Sequence, residues 1–358
     1  MGRTRSRGTV SRGHQRFTLL ILAVAAVVGV VILALTREPL PVTKRMEGAT
    51  HLNLLLDGPF GARFAGEMTA HKREYFPPNV TVRADPNDPD FVAAVARQHA
   101  VGVTSGHKFL LAAWRGVPVT AFAASFLDTS MAIFTLESSG LRRPADLVGK
   151  RVGYRRASEG EVIFDAMMAQ LGLPRSQIAK VVDRDTFDAL RAHEVEAIIA
   201  PIDDQPSPSL TGGDVRLNVI KPQDYGIHVP GLVYFVSNDL IHDQPSLIKD
   251  VLQSLIRGWH FVYTDYARSV PVLVGFDPER LNPDRVRFEL QQQRDLILPT
   301  GGRIADYDQS RWRTLRDILI FAKLGEEVVP LAQLVNYQLL QDVYRRSLAK
   351  SGGVRGEN

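Results

Sequence analysis

The sequence predicts an α/β protein of two lobes, with one apolar helix ahead of them and a helical extension behind. Three observations carry that expectation. From residue 52 onward, short apolar runs alternate with amphipathic stretches of helical length, the pattern of parallel sheets covered by helices. The alternation occurs twice over blocks of about 100 residues each, which suits two lobes better than one large sheet. The last third then reads as helices alone.

The elements follow in order. Residues 52–56, LNLLL, form a strand that stops at Asp57-Gly58-Pro59, a turn tripeptide. A helix over 61–74 and a strand over 80–82 come next. Asp88-Pro89-Asp90 opens a helix that places Phe91, Val92, Val95 and Ala96 on one face. A strand over 100–103 leads into a helix over 106–114, and strands follow over 117–124 and 131–136. The second run has strands over 151–154, 180–182 and 195–200, with helices over 159–171 and 186–193. Further on, Leu247, Val251, Leu252, Leu255 and Trp259 fall on one face of a helix over 246–264. Helices over 284–297 and 312–324 continue the pattern. The expected organisation is a first lobe from 51–137 and 236–300, a second from 138–235, and helices over 301–350 packing on the first.

The segment 17–35, FTLLILAVAAVVGVVILAL, has 19 residues without a charge. As a helix it would span about 28 Å, close to the hydrocarbon thickness of a bilayer. Five arginines precede it within the first 16 residues, with no acid among them. That basic excess would hold a tail, 1–16, in the cytoplasm and send the body outward as a single-pass inner-membrane protein with a periplasmic domain. The competing reading is a cleaved signal peptide, whose apolar core is usually shorter. Residues 36–50, with Pro39 and Pro41, read as a linker.

The charge balance excludes further classes. The chain has 43 basic and 39 acidic residues, and without the five tail arginines 38 basic face 39 acidic. The body therefore shows no basic excess of the kind a nucleic-acid-binding surface requires. Cysteine is absent among the 358 residues, which removes disulfides, thiolate metal ligands and a cysteine nucleophile. None of the nine histidines pairs with another at metal-ligand spacing. Asp85, Asn87, Asp88 and Asp90 lack the glycine and closing glutamate of a calcium loop. No phosphate-binding loop and no Gly-x-Ser-x-Gly elbow occurs. The sequence predicts no cofactor, no metal and no catalytic constellation, hence binding without turnover.

Several segments in order resemble a known family. They are 61–66 (GARFAG) with Tyr75-Phe76, 101–105 (VGVTS) with Leu110-Leu111-Ala112, and Gly116-Val117-Pro118-Val119. The most specific runs from Ser139-Gly140-Leu141 through Pro144-Ala145-Asp146-Leu147 to 149–153, GKRVG. Asp203-Asp204-Gln205-Pro206 and Asp224-Tyr225-Gly226-Ile227 complete the series. Residues 54–298 thereby resemble the periplasmic substrate-binding proteins of ABC importers, in the subgroup that handles thiamine pyrimidine precursors, alkanesulfonates, taurine and nitrate. The resemblance implies a two-lobed, periplasmic-binding-protein-like (type II) fold with a ligand in the cleft, and a permease and an ATPase as partners. Gln205 stands where the precursor-binding subgroup has Glu. Fungal relatives that make the pyrimidine use a cysteine-rich iron-binding motif, which this cysteine-free chain lacks. A membrane-tethered sensor and a pyrimidine-forming synthase are the alternatives to transport.

Candidate ligand contacts follow from the rule that open parallel sheets bind ligands beyond the carboxyl ends of their strands. Ser105 with Gly106 and Ser158 with Glu159 and Gly160 stand at two such turns; each serine either caps its helix or offers its hydroxyl to a ligand. Asp57 either accepts hydrogen bonds from an aminopyrimidine or caps its own turn. Phe60 and Phe64 would stack on a flat ring, with core packing as the other role of Phe64. Asp128 and Thr129 precede a strand, and Tyr154 ends one. Asp204, Gln205 and Tyr225 lie on the segments that carry the resemblance. Acids outnumber bases around these turns, which suits a neutral or cationic nitrogen heterocycle better than an anion.

Overall fold

A computed structural model of the protein describes residues 51–85, 88–207 and 216–352. It holds two five-stranded sheets. The first is built from β1 (Leu52–Leu56), β2 (Val80–Ala84), β3 (Val101–Ser105), β4 (Val119–Ala124) and β10 (Leu232–Ser237), in the order β2-β1-β3-β10-β4. The second contains β5 (Met131–Leu136), β6 (Arg151–Tyr154), β7 (Ala179–Val182), β8 (Ala197–Pro201) and β9 (Leu217–Ile220), ordered β7-β6-β8-β5-β9. The helices are α1 (Ala65–Lys72), α2 (Phe91–Arg97), α3 (Gly106–Trp114), α4 (Glu159–Gln170), α5 (Phe187–Arg191), α6 (Asn238–Asp243), α7 (Pro245–Thr264), α8 (Tyr266–Val274), α9 (Pro283–Ile297), α10 (Gln309–Phe321), α11 (Leu331–Leu334) and α12 (Gln338–Gly352).

Both sheets are mixed, where the sequence pattern predicts parallel ones. Strand β1 is parallel to β2 and β3, and β6 to β7 and β8. Strand β10 runs antiparallel to β3 and β4, and β5 to β8 and β9. Each reversed strand is the one the chain enters directly after crossing from one sheet to the other. Strands β9 and β10 have no counterpart in the sequence reading. β10, LVYFVS, is buried at all six positions, so it carries no alternation and no helix-forming flank to mark it. These memberships put the two crossings at 125–130 and 221–231, ahead of the expected borders at 137 and 235.

The first sheet is backed by α1 and α7. Ile248, Val251, Leu252, Leu255, Trp259 and Val262 are all fully buried, and their three- and four-residue spacing makes one face of α7. Each such side chain contributes about 1.5–3 kcal/mol by leaving water. Gly66 and Gly258 let the two helices touch: a Cβ at Gly66 would stand 2.3 Å from the Trp259 ring, and one at Gly258 2.1 Å from the Gly66 carbonyl.

The extension does not rest on the first lobe alone. Trp312 of α10 meets Phe109 of α3 edge-on, with ring centroids 5.7 Å apart. At the other end of α10, the Arg175 guanidinium from the second lobe lies 4.9 Å from the Phe321 ring. One helix thus touches both lobes. The expected membrane helix at 17–35, with its tail and linker, lies outside the described residues. Among the described residues no helix is long and apolar enough to cross a membrane.

Candidate functional site

The carboxyl ends of β1 and β3 in the first sheet face the turns after β6 and β8 in the second. From the first side come Asp57, at the end of β1, and Arg63, on the single-turn helix Ala62–Phe64. Ser105 caps α3 by accepting from the Lys108 amide at 3.2 Å. From the second side come Glu159, the first residue of α4, and Asp203 and Asp204, on the turn Ile202–Asp204 that follows β8.

These groups are wired across the gap. The Arg63 Nε donates to Asp203 Oδ2 at 2.9 Å, and a second guanidinium nitrogen lies 3.8 Å from Asp204. Lys108 Nζ donates to Asp57 Oδ2 at 2.8 Å, and Thr104 Oγ1 donates to the same oxygen at 2.5 Å. Thr129 Oγ1, on the crossing between the lobes, donates to Glu159 Oε1 at 2.6 Å. Ser105, from the first lobe, lies near enough to favour the charged Glu159 carboxylate. Burial pushes the Glu159 carboxyl up from its usual range, while Thr129, Arg63, Lys108 and Ser105 pull it back. Burial also raises Asp204, against the pull of Arg63.

Beside this cluster lies a cavity of about 310 Å³. Its walls are the 58–64 segment, Asp203 and Asp204, Arg280 ahead of α9, and the start of α9 with Arg285 and Glu289. Charged groups of both signs line it. Asp203 Oδ1 is buried without a hydrogen-bond partner, as is Gln205 Oε1, so both retain capacity for a donor.

The structure spreads the sequence-derived candidates over different roles. Asp57, Ser105, Thr129, Glu159 and Asp204 converge on the cleft. Phe60 lines the cavity, its ring centroid 5.3 Å from Phe276. Gln205 adjoins the turn of Asp203. The rest have other partners, in several cases the structural alternative already open in the sequence. Phe64 is 1% exposed and belongs to the apolar core under β1. Tyr154 is buried in the second lobe, with Lys180 Nζ 5.2 Å from its ring centroid. The Gly106 amide donates to Gly231 O at 2.7 Å, so it is not offered to a ligand. Ser158 caps α4 by accepting from Glu161 N at 3.3 Å and donates to Arg155 O at 2.7 Å. Gly160 packs against Ile199, which a Cβ there would meet at 2.7 Å. Tyr225 accepts at its carbonyl from Gln170 Nε2 at 3.1 Å and packs on the second lobe. The Asp128 carboxylate is occupied by His228 Nδ1 at 2.9 Å, Val229 N at 3.2 Å and the Arg311 guanidinium.

Arg63, Lys108 and Asp203 were absent from the candidate contacts. Arg63 sits inside the 61–66 segment and Lys108 three residues after Ser105, so strand-end reasoning reaches their neighbourhood. Their pairing with residues up to 140 positions away has no sequence signal. Arg280 and Arg285 come from the helical third, which sequence reasoning assigned to packing.

The NMT1/THI5-like family matches residues 62–267, more than half of the chain. A 4-amino-5-hydroxymethyl-2-methylpyrimidine phosphate synthase from Legionella pneumophila is 27% identical over 204 residues, 56% of this chain and 64% of that protein, so the match spans less than two thirds of the relative's length. The periplasmic aliphatic sulphonate-binding protein SsuA from Escherichia coli superposes with a TM-score of 0.64 at 16% identity, covering 79% of this chain and 96% of its own. The alkanesulfonate-binding protein SsuA from Xanthomonas axonopodis pv. citri, bound to MOPS, gives 0.61 at 18% identity, with 80% and 98% covered. These likenesses identify the fold as periplasmic-binding-protein-like, with C-terminal helices added.

Proposed function

This chain belongs to the NMT1/THI5-like family, and from that premise we propose that it is an extracytoplasmic solute-binding protein that takes one small organic molecule between its lobes and delivers it to an ABC importer. The observation that carries the reading is the cleft itself. Polar side chains from both sheets meet there beside a cavity of about 310 Å³, the lower end of the size range of ordinary ligand pockets. A ligand contacting both lobes would favour their closed arrangement by its better contacts in that state. The ligand we favour is a neutral or cationic nitrogen heterocycle of the thiamine-pyrimidine type, ahead of sulfonate, taurine or nitrate. The apolar N-terminal segment with its arginine-rich flank supports an extracytoplasmic body held at the inner membrane.

Calorimetric titration of the purified full-length protein with an aminopyrimidine, an alkanesulfonate, taurine and nitrate tests the reading. Saturable binding of one of them, weakened by changing Ser105 or Glu159, supports it; no binding by any overturns it. A second reading, a pyrimidine-forming enzyme, is favoured by the name of the Legionella relative. Mass spectrometry of the same mixtures distinguishes the two, because an enzyme would convert what it binds.

A further inference from the structure

Within the cleft the nearby cations are taken up by other carboxylates, Arg63 by both Asp203 and Asp204, which sets the half-buried Glu159 apart. The Arg63 guanidinium is committed to Asp203 at 2.9 Å and the Lys108 ammonium to Asp57 at 2.8 Å. Glu159 has no ion-pair partner within 4.0 Å among the described residues. It accepts from the Thr129 hydroxyl at 2.6 Å. Its place in the first turn of α4 would be explained by the helix dipole alone if it turned back toward the helix. Glu161, in the same turn, does that: it accepts from Ala157 N at 2.8 Å and from Lys180 Nζ at 3.2 Å. Glu159 instead reaches Thr129, on the crossing between the lobes.

We infer that Glu159 is a specificity-determining residue of the cleft, a fixed carboxylate that recruits a ligand's N–H or ammonium group and repels anionic ligands. The inference rests on the solute-binding reading above. The Thr129 hydroxyl holds the carboxylate before any ligand arrives, so accepting a donor requires little reorganisation. A sulfonate or nitrate brought against Glu159 would face a like charge, while Arg63 and Lys108 are each committed to another carboxylate. The chemistry thus separates this chain from the sulfonate-binding proteins that share its fold.

The test titrates an aminopyrimidine and ethanesulfonate into the parent protein, Glu159→Gln and Thr129→Val, with a melting curve for each. The parent should prefer the aminopyrimidine. Glu159→Gln should weaken it about ten- to a hundredfold, the loss of one hydrogen bond to a charged group, and should tighten the sulfonate. Thr129→Val, which frees the carboxylate without removing its charge, should weaken the aminopyrimidine several-fold and still exclude the sulfonate; it decides the matter if Glu159→Gln does not fold. If the aminopyrimidine binds parent and both variants alike, or the parent binds the sulfonate as tightly as Glu159→Gln does, the role of Glu159 is overturned while the cleft reading stands. If neither probe binds any of the three proteins, the role of Glu159 is overturned, and the cleft reading stands or falls with the four-ligand titration above.

Discussion

The Arg63 guanidinium crosses from the first lobe to the Asp203 carboxylate of the second, 2.9 Å away, and the Asp203 side chain is 7% exposed. A carboxylate that deeply buried is expensive to leave unpaired, whereas the arginine end, 30% exposed, is partly screened by solvent. The pair therefore acts as a latch between the lobes on the cavity side.

Arg63→Ala should lower stability by about 1–3 kcal/mol, and Asp203→Asn combined with it should recover part of the loss, because the orphaned charge is then gone. Urea unfolding of the two single variants and the double variant measures the coupling. Strictly additive losses would refute the latch.

Glu67 of α1 gives a pH signature independent of the cleft. It is 0% exposed, and burial pushes its carboxyl up to about 7. Tyr234 OH donates to Oε1 at 2.7 Å, Trp259 Nε1 donates to that hydroxyl at 2.9 Å, and Oε2 is buried without a partner. The folded protein thus holds a proton that the unfolded chain releases near pH 4.5. A raised native pKa means its contribution is fully present below the unfolded value and is lost as pH rises through the folded one. Stability should fall by roughly 3 kcal/mol between pH 4.5 and 7 from this group. Glu67→Gln, which keeps the shape and cannot ionise, should flatten that part of the curve. Denaturant midpoints at pH 5 and 7.5 check it; parallel curves for parent and variant would remove Glu67 from the account.

How much of this was legible in the sequence differs between fold and site. Strands such as β1 and β3 and the face of α7 were readable, because apolar period and turn residues are local signals. β10 was not: like β4 it is buried at all six positions, so only its flanks could have marked it. The cleft candidates followed from strand ends, a rule that reaches Asp57, Ser105 and Glu159. They misplaced Tyr154, whose residue type suits a cleft wall and a core equally. Asp128 shows the limit most clearly: its partners His228 and Arg311 lie 100 and 183 positions onward, and only the fold brings them together.

Gly66→Ala tests the packing behind the site. The added methyl would stand 2.3 Å from the Trp259 ring, an indole with no exposed surface into which it could shift. Overpacking of that kind typically costs about 1–3 kcal/mol. Thermal denaturation should show a clear drop in melting temperature, and Gly66→Ala with Trp259→Phe should regain some of it. An unchanged melting point for Gly66→Ala would mean that α1 and α7 are not this closely packed.

The last prediction concerns the crossings between lobes. Asp128 binds three groups at once: the ring of His228, the amide of Val229 on the returning crossing, and Arg311 of α10. It therefore ties both crossings to the helix that touches Phe109 in one lobe and Arg175 in the other. Breaking the tie should loosen one lobe against the other more than it melts either. Arg311→Ala leaves Asp128 with its two remaining donors, so the stability loss should stay near 1–2 kcal/mol. The spread of lobe–lobe distances should nonetheless widen. The absence of native cysteine makes this measurable without further engineering. Spin labels on Arg97→Cys, at the exposed end of α2, and Ala192→Cys, exposed after α5, report the distance between lobes. In the parent the pair should give one narrow distribution; with Arg311→Ala it should broaden and extend to longer distances. Identical distributions would show that α10 merely covers the lobes and does not hold them.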